Sequence, residues 1–324
     1  MSMKHDLSIT LFLIFIFLLT QVVGLFFINH DAKPITITKD NRTVTEINHQ
    51  DTAVGPRPET KGFSSFLYLG LGVLIGTVLV LILIKYSQFK LWKIWFFIAV
   101  WIATTIALGV FVNKYVAVGI ALVIAIIKLW KPNILIHNLS EVLMYTGIAV
   151  LVVPLFNVLW AFILLVAISL YDMYAVWKSK HMVKMAEFQT KSNLFAGLMI
   201  PYRPKKEVKI NSKLGVQVIA NKENNQNNQS TKPTEKKNAI LGGGDVAFPL
   251  IFAGVIMEAL MMHGFSKIIA FQYSLMIALT TAIALFLLFM AAKKDKFYPA
   301  MPFVTLGCVA GYLIIGLFTG FFIF

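Results

Sequence analysis

The chain alternates long apolar stretches with polar connections along almost its whole length. A helix that crosses a hydrocarbon core of about 30 Å needs about 20 predominantly apolar residues. Scanning for such stretches predicts nine transmembrane helices, of which the fourth is the shortest. Their predicted bounds are residues 7–28, 63–86, 91–112, 115–130, 134–155, 158–178, 240–262, 268–291 and 301–323. The pattern therefore predicts an all-α polytopic membrane protein.

The longest polar connection divides the predicted helices into two groups. Residues 1–178 hold helices one to six, residues 179–239 form the connection, and residues 240–324 hold helices seven to nine. Within the connection, residues 222–232 consist mainly of Asn, Gln and Lys, a composition typical of disordered segments. We expect 179–239 to be a partly disordered loop.

Composition agrees with a membrane setting and narrows the possible partners. Hydrophobic residues make up 58% of the chain and charged residues 14%, with a mean hydropathy of +0.77. A net charge of +14 would suggest nucleic acid as a partner of a soluble protein, but here the basic residues lie between apolar stretches. The lipid bilayer is therefore the predicted surrounding, and no nucleic-acid partner is predicted. A single cysteine, Cys308, excludes an intramolecular disulfide and a thiolate-rich metal site.

Lysine and arginine are distributed unevenly between alternate connections. With the amino terminus inside, the inner segments hold 22 of the 29 basic residues and the outer segments hold 7. Lys128 and Lys131 count among the inner residues, and the connection between helices six and seven supplies 13 of them. Because cytoplasmic loops carry the excess of Lys and Arg, we expect a cell-membrane protein whose amino terminus and 179–239 loop are cytoplasmic. The carboxyl terminus is then expected outside.

Two acidic residues lie inside the apolar stretches, Asp172 in helix six and Asp245 in helix seven. An ionised carboxylate at such a depth costs roughly 2.5 to 3.5 kcal/mol on insertion scales, so each acid indicates a function. Asp172 comes five residues before Trp177, and Asp245 comes five residues after Ile240. At 1.5 Å of rise per residue, both are expected roughly 7.5 Å from the same inner boundary. Two acids on consecutive antiparallel helices can then meet and share one proton.

The residues around Asp245 are small or helix-breaking. Gly242, Gly243 and Gly244 allow a close backbone approach, and they weaken the helix start enough for it to accept an extended strand. Pro249 removes a backbone donor and is expected to bend helix seven near the acid. A simple helix contact through small residues is the alternative interpretation of the glycines.

Further polar residues in the spans have less specific interpretations. His137 and Glu141 lie four apart on helix five, and we predict one polar face that hydrogen bonds to a neighbouring helix. A metal site would need more ligands at fixed spacing, and none is evident. Glu258 lies too far along helix seven to join Asp245, so we expect it to find a partner near the outer side.

Three short motifs, one on each of helices six, seven and nine, resemble those of the presenilin and signal peptide peptidase family of intramembrane aspartyl proteases. They are Tyr171-Asp172, Gly242-Gly243-Gly244-Asp245, and Pro299-Ala300-Met301-Pro302, which differs from the family's Pro-Ala-Leu motif by Met for Leu. The likeness is greatest to the archaeal presenilin homologues. Taken alone, the third motif also fits an ordinary helix start, where Pro is common.

The resemblance implies a presenilin-like fold and hydrolysis of peptide bonds within transmembrane helices or remnant signal peptides. It implies no metal and no cofactor, and, as in the archaeal homologues, no obligate accessory subunit. The implied catalytic residues are Asp172 and Asp245. The implied substrate-binding residues are Tyr171, Gly242, Gly243, Gly244, Pro299, Ala300, Met301 and Pro302. Simple packing is the alternative role for Tyr171, which points about 100° away from Asp172 around the helix.

Two other functions stay open from the residues alone. A prepilin- or preflagellin-type Gly-x-Gly-Asp peptidase would cut at the membrane surface, but that family lacks a Pro-Ala-Leu motif on a ninth span. A proton-coupled transporter or cation leak channel would use the acids as a relay. Such proteins usually mark their path with several polar spans, whereas few acids lie within the apolar stretches here.

Overall fold

The structure is a computed structural model that describes residues 7–39, 42–130, 133–179, 185, 188–189, 194–202, 237–292 and 298–320. Within these residues the chain forms nine α-helices and two β-hairpins. The helices are α1 Leu7–Asp31, α2 Phe63–Lys85, α3 Phe89–Leu108, α4 Lys114–Trp130, α5 Ile134–Val152, α6 Val158–Met173, α7 Gly243–Met262, α8 Lys267–Ala291 and α9 Met301–Thr319. The strands are β1 Lys33–Lys39, β2 Arg42–Asn48, β3 Gly197–Tyr202 and β4 Lys237–Gly242.

The helices follow the predicted apolar stretches. Eight of them are long and apolar enough to cross a membrane, judged by length and composition. The ninth, α4, has 17 residues, in keeping with its prediction as the shortest stretch. A 3-10 turn, Val153–Leu155, extends α5, and one π-helical turn, Tyr174–Lys178, extends α6. The predicted all-α membrane architecture is confirmed.

Helix α7 begins later than predicted. The apolar pattern placed its start at residue 240, but residues 240–242 are the end of β4 and the helix begins at Gly243. Gly242 is extended and forms the cap, and because glycine in a helix costs about 1 kcal/mol relative to alanine, the helix gains little by starting before it. Strand β3 supplies backbone partners instead, in antiparallel register from Gly197 opposite Gly242 to Tyr202 opposite Lys237. Residues 203–236, which include most of the predicted loop, lie outside the described residues.

Helix α7 is the centre of the bundle. It packs against α1, α5, α6, α8 and α9, and most of its residues are buried. Helix α2 is at the other extreme, with only Ser65 and Val80 buried along its 23 residues. Gln21 of α1 donates through Nε2 to the carbonyl oxygen of Val246 at 2.9 Å, which joins α1 to the first turns of α7. The most buried helix is therefore the one that carries Asp245.

At one end of the bundle, charged side chains join α1, α7 and the β1–β2 hairpin. We call this the hairpin end. Asp31 accepts hydrogen bonds from His49 and Arg57, each at 2.8 Å. The other ring nitrogen of His49 lies 3.3 Å from Glu258 Oε1. The predicted partner of Glu258 is thus His49.

His49 carries a positive charge in this network. Burial by itself lowers the pKa of His49, but hydrogen bonds and charges from Asp31 and Glu258 outweigh burial and raise it to about 9. At the hairpin end, the His49 cation therefore lies between the carboxylates of Asp31 and Glu258. Arg57 adds a second cation on Asp31 and a hydrogen bond to the carbonyl oxygen of Val150 on α5.

Candidate active site

Asp172 lies in the last turn of α6, at the opposite end of the bundle from the hairpin. We call this the aspartate end; it includes Asp172, Asp245 and the β3–β4 hairpin. The Asp172 side chain is buried, and its Oδ2 accepts a hydrogen bond from the backbone N–H of Met301 at 3.1 Å. The amide of Ala300 also faces this carboxylate. The first N–H groups of α9 have no partner within that helix, so they are available to bind this carboxylate.

Asp245 is the third residue of α7 and is half-buried. The backbone N–H of Gly242, the residue that caps the helix, faces its carboxylate. An acidic side chain three residues after the cap commonly reaches back to this amide, which would otherwise have no partner within the helix. Both acids are thus held by backbone amides at the start of a helix.

The structure brings the two carboxylates together. Helices α6 and α7 pack against each other, and Asp172 and Asp245 are close enough to interact electrostatically. Asp245 lies nearer the start of its helix than predicted, because β4 extends to Gly242. Ser169, one turn before Asp172, hydrogen bonds to Thr305 on α9 at 2.6 Å and fixes α6 against that helix.

The three glycines differ in the space around them. A Cβ on Gly243 would lie 2.5 Å from Oη and 2.9 Å from Cε1 of Tyr145, closer than such atoms approach. On Gly242 it would lie 3.0 Å from Oδ2 of Asp245, and on Gly244 it would meet only Phe248, at 3.6 Å. Of the three glycines, Gly243 therefore has the least room.

The Pro-Ala-Met-Pro segment opens α9 directly beside Asp172. Met301 is the first residue of the helix and Pro302 the second, where its missing N–H costs no helical hydrogen bond. Pro299 and Met301 are buried, so the segment lines the site and is not exposed at the bundle surface. The segment thus combines an ordinary helix start with a direct contact to Asp172.

Tyr171 contacts the neighbouring helix α2. Its hydroxyl lies 3.1 Å from Oγ1 of Thr77. This hydrogen bond joins α6 to the most exposed helix of the bundle. Tyr171 is therefore the predicted site residue that hydrogen bonds to α2.

Sequence reasoning missed a buried charge network beside the site. Lys128 was counted as a loop residue, but it lies in α4, is 2% exposed, and forms an ion pair with Glu141. Tyr145, one turn beyond Glu141 on α5, donates its hydroxyl proton to the same carboxylate. The predicted polar face of helix five exists, with His137 bonded to the Gly197 carbonyl oxygen at 2.9 Å. The available signal for Lys128 was its place in a continuous apolar stretch, where a charge needs a partner.

The β3–β4 hairpin connects this network to the acids. Asn138 on α5 donates to the carbonyl oxygen of Met199 at 2.9 Å and accepts from its N–H at 3.0 Å, as a neighbouring strand would. Strand β3 is thus held on both edges, by Asn138 and by β4. Within the described part of the chain, β4 pairs along one edge only and runs directly into Gly243. Among the same residues, no group of three His, Cys, Asp or Glu side chains could hold a metal ion.

The overall fold is similar to that of a solved protein. The solved structure of a presenilin family intramembrane aspartate protease superposes with a TM-score of 0.57, covering 95% of this chain and 99% of that chain at 13% identity. At this identity the likeness shows the fold. Comparison with curated protein sequences gives no significant match.

The class follows from fold and family together: this is a multi-pass membrane protein with the architecture of an intramembrane protease. A family model described as signal-peptide peptidase, presenilin aspartyl protease matches residues 43–321, most of the chain. The chain belongs to this family and is an intramembrane-cleaving aspartyl endopeptidase. Its substrates are membrane-spanning proteins or peptides within a lipid bilayer.

Proposed function

We propose that Asp172 and Asp245 are the catalytic pair and that they hydrolyse a peptide bond within a transmembrane segment. The observation that carries this assignment is the meeting of two acids from α6 and α7, each bound by a backbone amide at a helix start. Side-chain cations hold the acids at the hairpin end, whereas here the carboxylates face amides and each other. This environment leaves both acids free for proton transfer.

The reaction uses the pair as acid and base. Two adjacent carboxyls share one proton, so one is ionised and the other protonated. The ionised carboxylate takes a proton from a water molecule whose oxygen attacks the scissile carbonyl carbon, while the protonated acid donates to the carbonyl oxygen. The carboxyl that took the proton from water passes it to the leaving nitrogen as the C–N bond breaks, and the hydroxyl formed from the carbonyl oxygen returns its proton to the other carboxylate. The pair titrates as a unit, so these roles belong to the pair and not to one residue.

We propose that the substrate backbone binds along β4. A helical substrate must expose a peptide bond that its own helix satisfies, so it has to unwind locally. The edge of β4 that faces away from β3 offers backbone donors and acceptors to an extended peptide, and the strand ends three residues before Asp245. Gly242 and Gly244 keep this approach free of side chains, and Pro299, Ala300, Met301 and Pro302 line the Asp172 side. Tyr171 contributes a contact near α2.

The proposal also covers the orientation of the chain in the membrane and the need for partner subunits. We place the amino terminus and residues 179–239 in the cytoplasm and the carboxyl terminus outside, on the distribution of Lys and Arg. The aspartate end of the bundle is then the cytoplasmic side of the cell membrane. The complete pair lies on one chain, so we propose that no accessory subunit is obligatory for cleavage.

The test is cleavage of a labelled transmembrane peptide by the purified protein in detergent. Wild type is expected to cleave it, and Asp172→Asn and Asp245→Asn are each expected to lower the rate by roughly 100- to 10,000-fold. Asparagine keeps the size of each side chain while it removes proton transfer, so a folded, inactive variant is the expected result. Cleavage that survives either substitution would contradict the assignment.

The same preparations separate the other candidate activities. Cleavage mapped only to the surface-exposed flank of the peptide would support a prepilin-type peptidase. A proton or cation flux into liposomes that depends on both acids, with no peptide cut, would support a transporter.

A further inference from the structure

Three side chains on α4 and α5 form a chain of contacts that ends at the start of α7. Lys128 pairs with Oε1 of Glu141, and Tyr145 donates its hydroxyl proton to Oε2 of the same carboxylate. All three residues are at most 2% exposed. Both oxygens of Glu141 are therefore occupied, which fixes the direction of the Tyr145 hydroxyl.

The Tyr145 ring lies against the backbone of Gly243. A Cβ at Gly243 would come within 2.5 Å of the Tyr145 Oη, within 2.9 Å of Cε1 and within 3.0 Å of Cζ. Gly243 is the first residue of α7, and Asp245 is the third. The Tyr145 ring therefore lies against the first residue of α7, two residues before Asp245.

The backbone of Gly243 is also held by a hydrogen bond. Its N–H donates to the carbonyl oxygen of Ala196 at 3.2 Å, just before β3. Gly243 thus has two external contacts, that carbonyl and the Tyr145 ring. Because the glycine has no side chain and weak helix propensity of its own, these external contacts decide its path.

We infer that Tyr145, fixed by Glu141 and Lys128, is a positioning residue that orients Asp245 through Gly243. The inference rests on the proposed function, in which Asp245 is catalytic. Lys128 binds one oxygen of the Glu141 carboxylate and the Tyr145 hydroxyl binds the other, so the tyrosine completes the buried pair while its ring lies against Gly243. Through its hydroxyl, Tyr145 links the Lys128–Glu141 pair to the segment that carries Asp245.

Tyr145→Phe is the first test, because it keeps the ring and removes only the oxygen. The variant is expected to lower kcat roughly tenfold while KM stays within about twofold, as expected when a catalytic group is misplaced but substrate binding is kept. Two double variants, both without the Lys128 and Glu141 charges, test whether the Tyr145 hydroxyl needs a hydrogen-bond acceptor at position 141. Lys128→Met with Glu141→Gln keeps an oxygen for Tyr145 and should retain a higher kcat than Lys128→Met with Glu141→Leu.

The second test is suppression between neighbours. Gly243→Ala adds the Cβ that collides with Tyr145, and it should lose most activity. Adding Tyr145→Leu shortens that side chain, and it should raise the activity of the Gly243→Ala variant several-fold. Gly244→Ala is the matched control, since its Cβ meets only Phe248 at 3.6 Å. It should lose less activity, and Tyr145→Leu should not improve it.

Thermal unfolding of the same proteins separates this inference from the proposed function. Gly243→Ala and Tyr145→Leu should be coupled in unfolding temperature whether or not any peptide is cut, because their atoms meet in the folded state. A wild type that cleaves nothing would therefore reject the proposed function and leave this coupling measurable. Unchanged kcat in Tyr145→Phe, or no coupling in either readout, would overturn the inference.

Discussion

The two ends of α7 each carry one acid, and the two acids are held by different groups. At the hairpin end, Glu258 lies beside a histidine that also binds Asp31, within a network of charged side chains. At the aspartate end, Asp245 faces a backbone amide and the carboxylate of Asp172. Charged partners fix the hairpin end in place. At the aspartate end the acids face backbone amides beside the glycines, and we propose that a peptide backbone approaches there.

The difference shows how one buried helix can serve both stability and chemistry. An acid paired with a cation is neutralised and contributes to folding, whereas an acid paired with another acid keeps a transferable proton. We therefore expect substitutions at the two ends of α7 to affect different properties, stability at the hairpin end and cleavage at the aspartate end.

The largest expected contrast is between the two acids of α7 themselves. Asp245→Asn should lower the cleavage rate by roughly 100- to 10,000-fold and change the unfolding temperature little. Glu258→Gln should do the reverse, with cleavage near wild type and a free energy of unfolding about 1–3 kcal/mol lower, since it weakens a charge-assisted contact. Peptide cleavage and thermal unfolding of both variants measure the contrast. Equal loss of activity in the two variants would remove the distinction between the ends.

The second prediction concerns the hydrogen bonds that hold the β3–β4 hairpin beside the acids. Asn138→Ala removes both hydrogen bonds to Met199, so β3 and with it β4 should lose their fixed position. We expect roughly a tenfold loss in kcat and a modest loss of stability. Asn133→Ala is the matched control, because Asn133 caps α5 through the Leu135 N–H and does not reach the strand. If the control loses as much activity as Asn138→Ala, the strand contact is not the cause.

The hairpin end should give stability a pH dependence of defined sign. Folding raises the pKa of His49 from 6.5 to about 9, so the protonated form is favoured in the folded state. Its contribution is then complete below about pH 6.5, declines as pH rises and is lost above about pH 9. Wild type should unfold several degrees above His49→Gln at pH 6, and the two should converge above about pH 9.

His30→Gln is the matched control for this measurement. His30 lies at the same end, with its ring against Phe111. A pH-independent gap between wild type and His49→Gln would show that packing, and not the charge, is responsible.

The smallest expected effect is at the contact between α6 and α2. Tyr171→Phe removes the hydrogen bond to Thr77, worth about 0.5–1.5 kcal/mol, and should change the cleavage rate by no more than roughly threefold. Thr77→Val breaks the same bond from the other side. The double variant should therefore resemble either single variant. If Tyr171→Phe and Thr77→Val lower the cleavage rate additively, Tyr171 acts on the reaction through a contact other than Thr77.

The sequence predicted the helices and the meeting of the acids because both depend on position along the chain. Membrane-length apolar stretches define helices almost by themselves, and Asp172 and Asp245 stand out because charge is costly there. The motif around Asp245 also indicated a weak helix start that could accept a strand. Strand β3 supplies that strand.

The rest depends on partners that no local pattern specifies. Lys128 counts as a loop charge in a topology analysis, and only Glu141 on a different helix makes its burial possible. Tyr145 lies among apolar neighbours without any mark of its own, and its role follows from the space beside Gly243. Strands β3 and β4 have six residues each, and their pairing with each other and the hydrogen bonds of β3 to Asn138 join residues far apart in the chain. Such pairings are tertiary, so single-sequence reasoning misses them.

The central claim is that Asp172 and Asp245 together cut a peptide bond within a transmembrane segment. Its most direct test is mass spectrometry of the products formed from a synthetic transmembrane peptide by wild type, Asp172→Asn and Asp245→Asn. The account predicts paired fragments whose new ends lie inside the apolar stretch, formed by wild type and by neither variant. Fragments that end only in the polar flanks, or that persist in either variant, would contradict it.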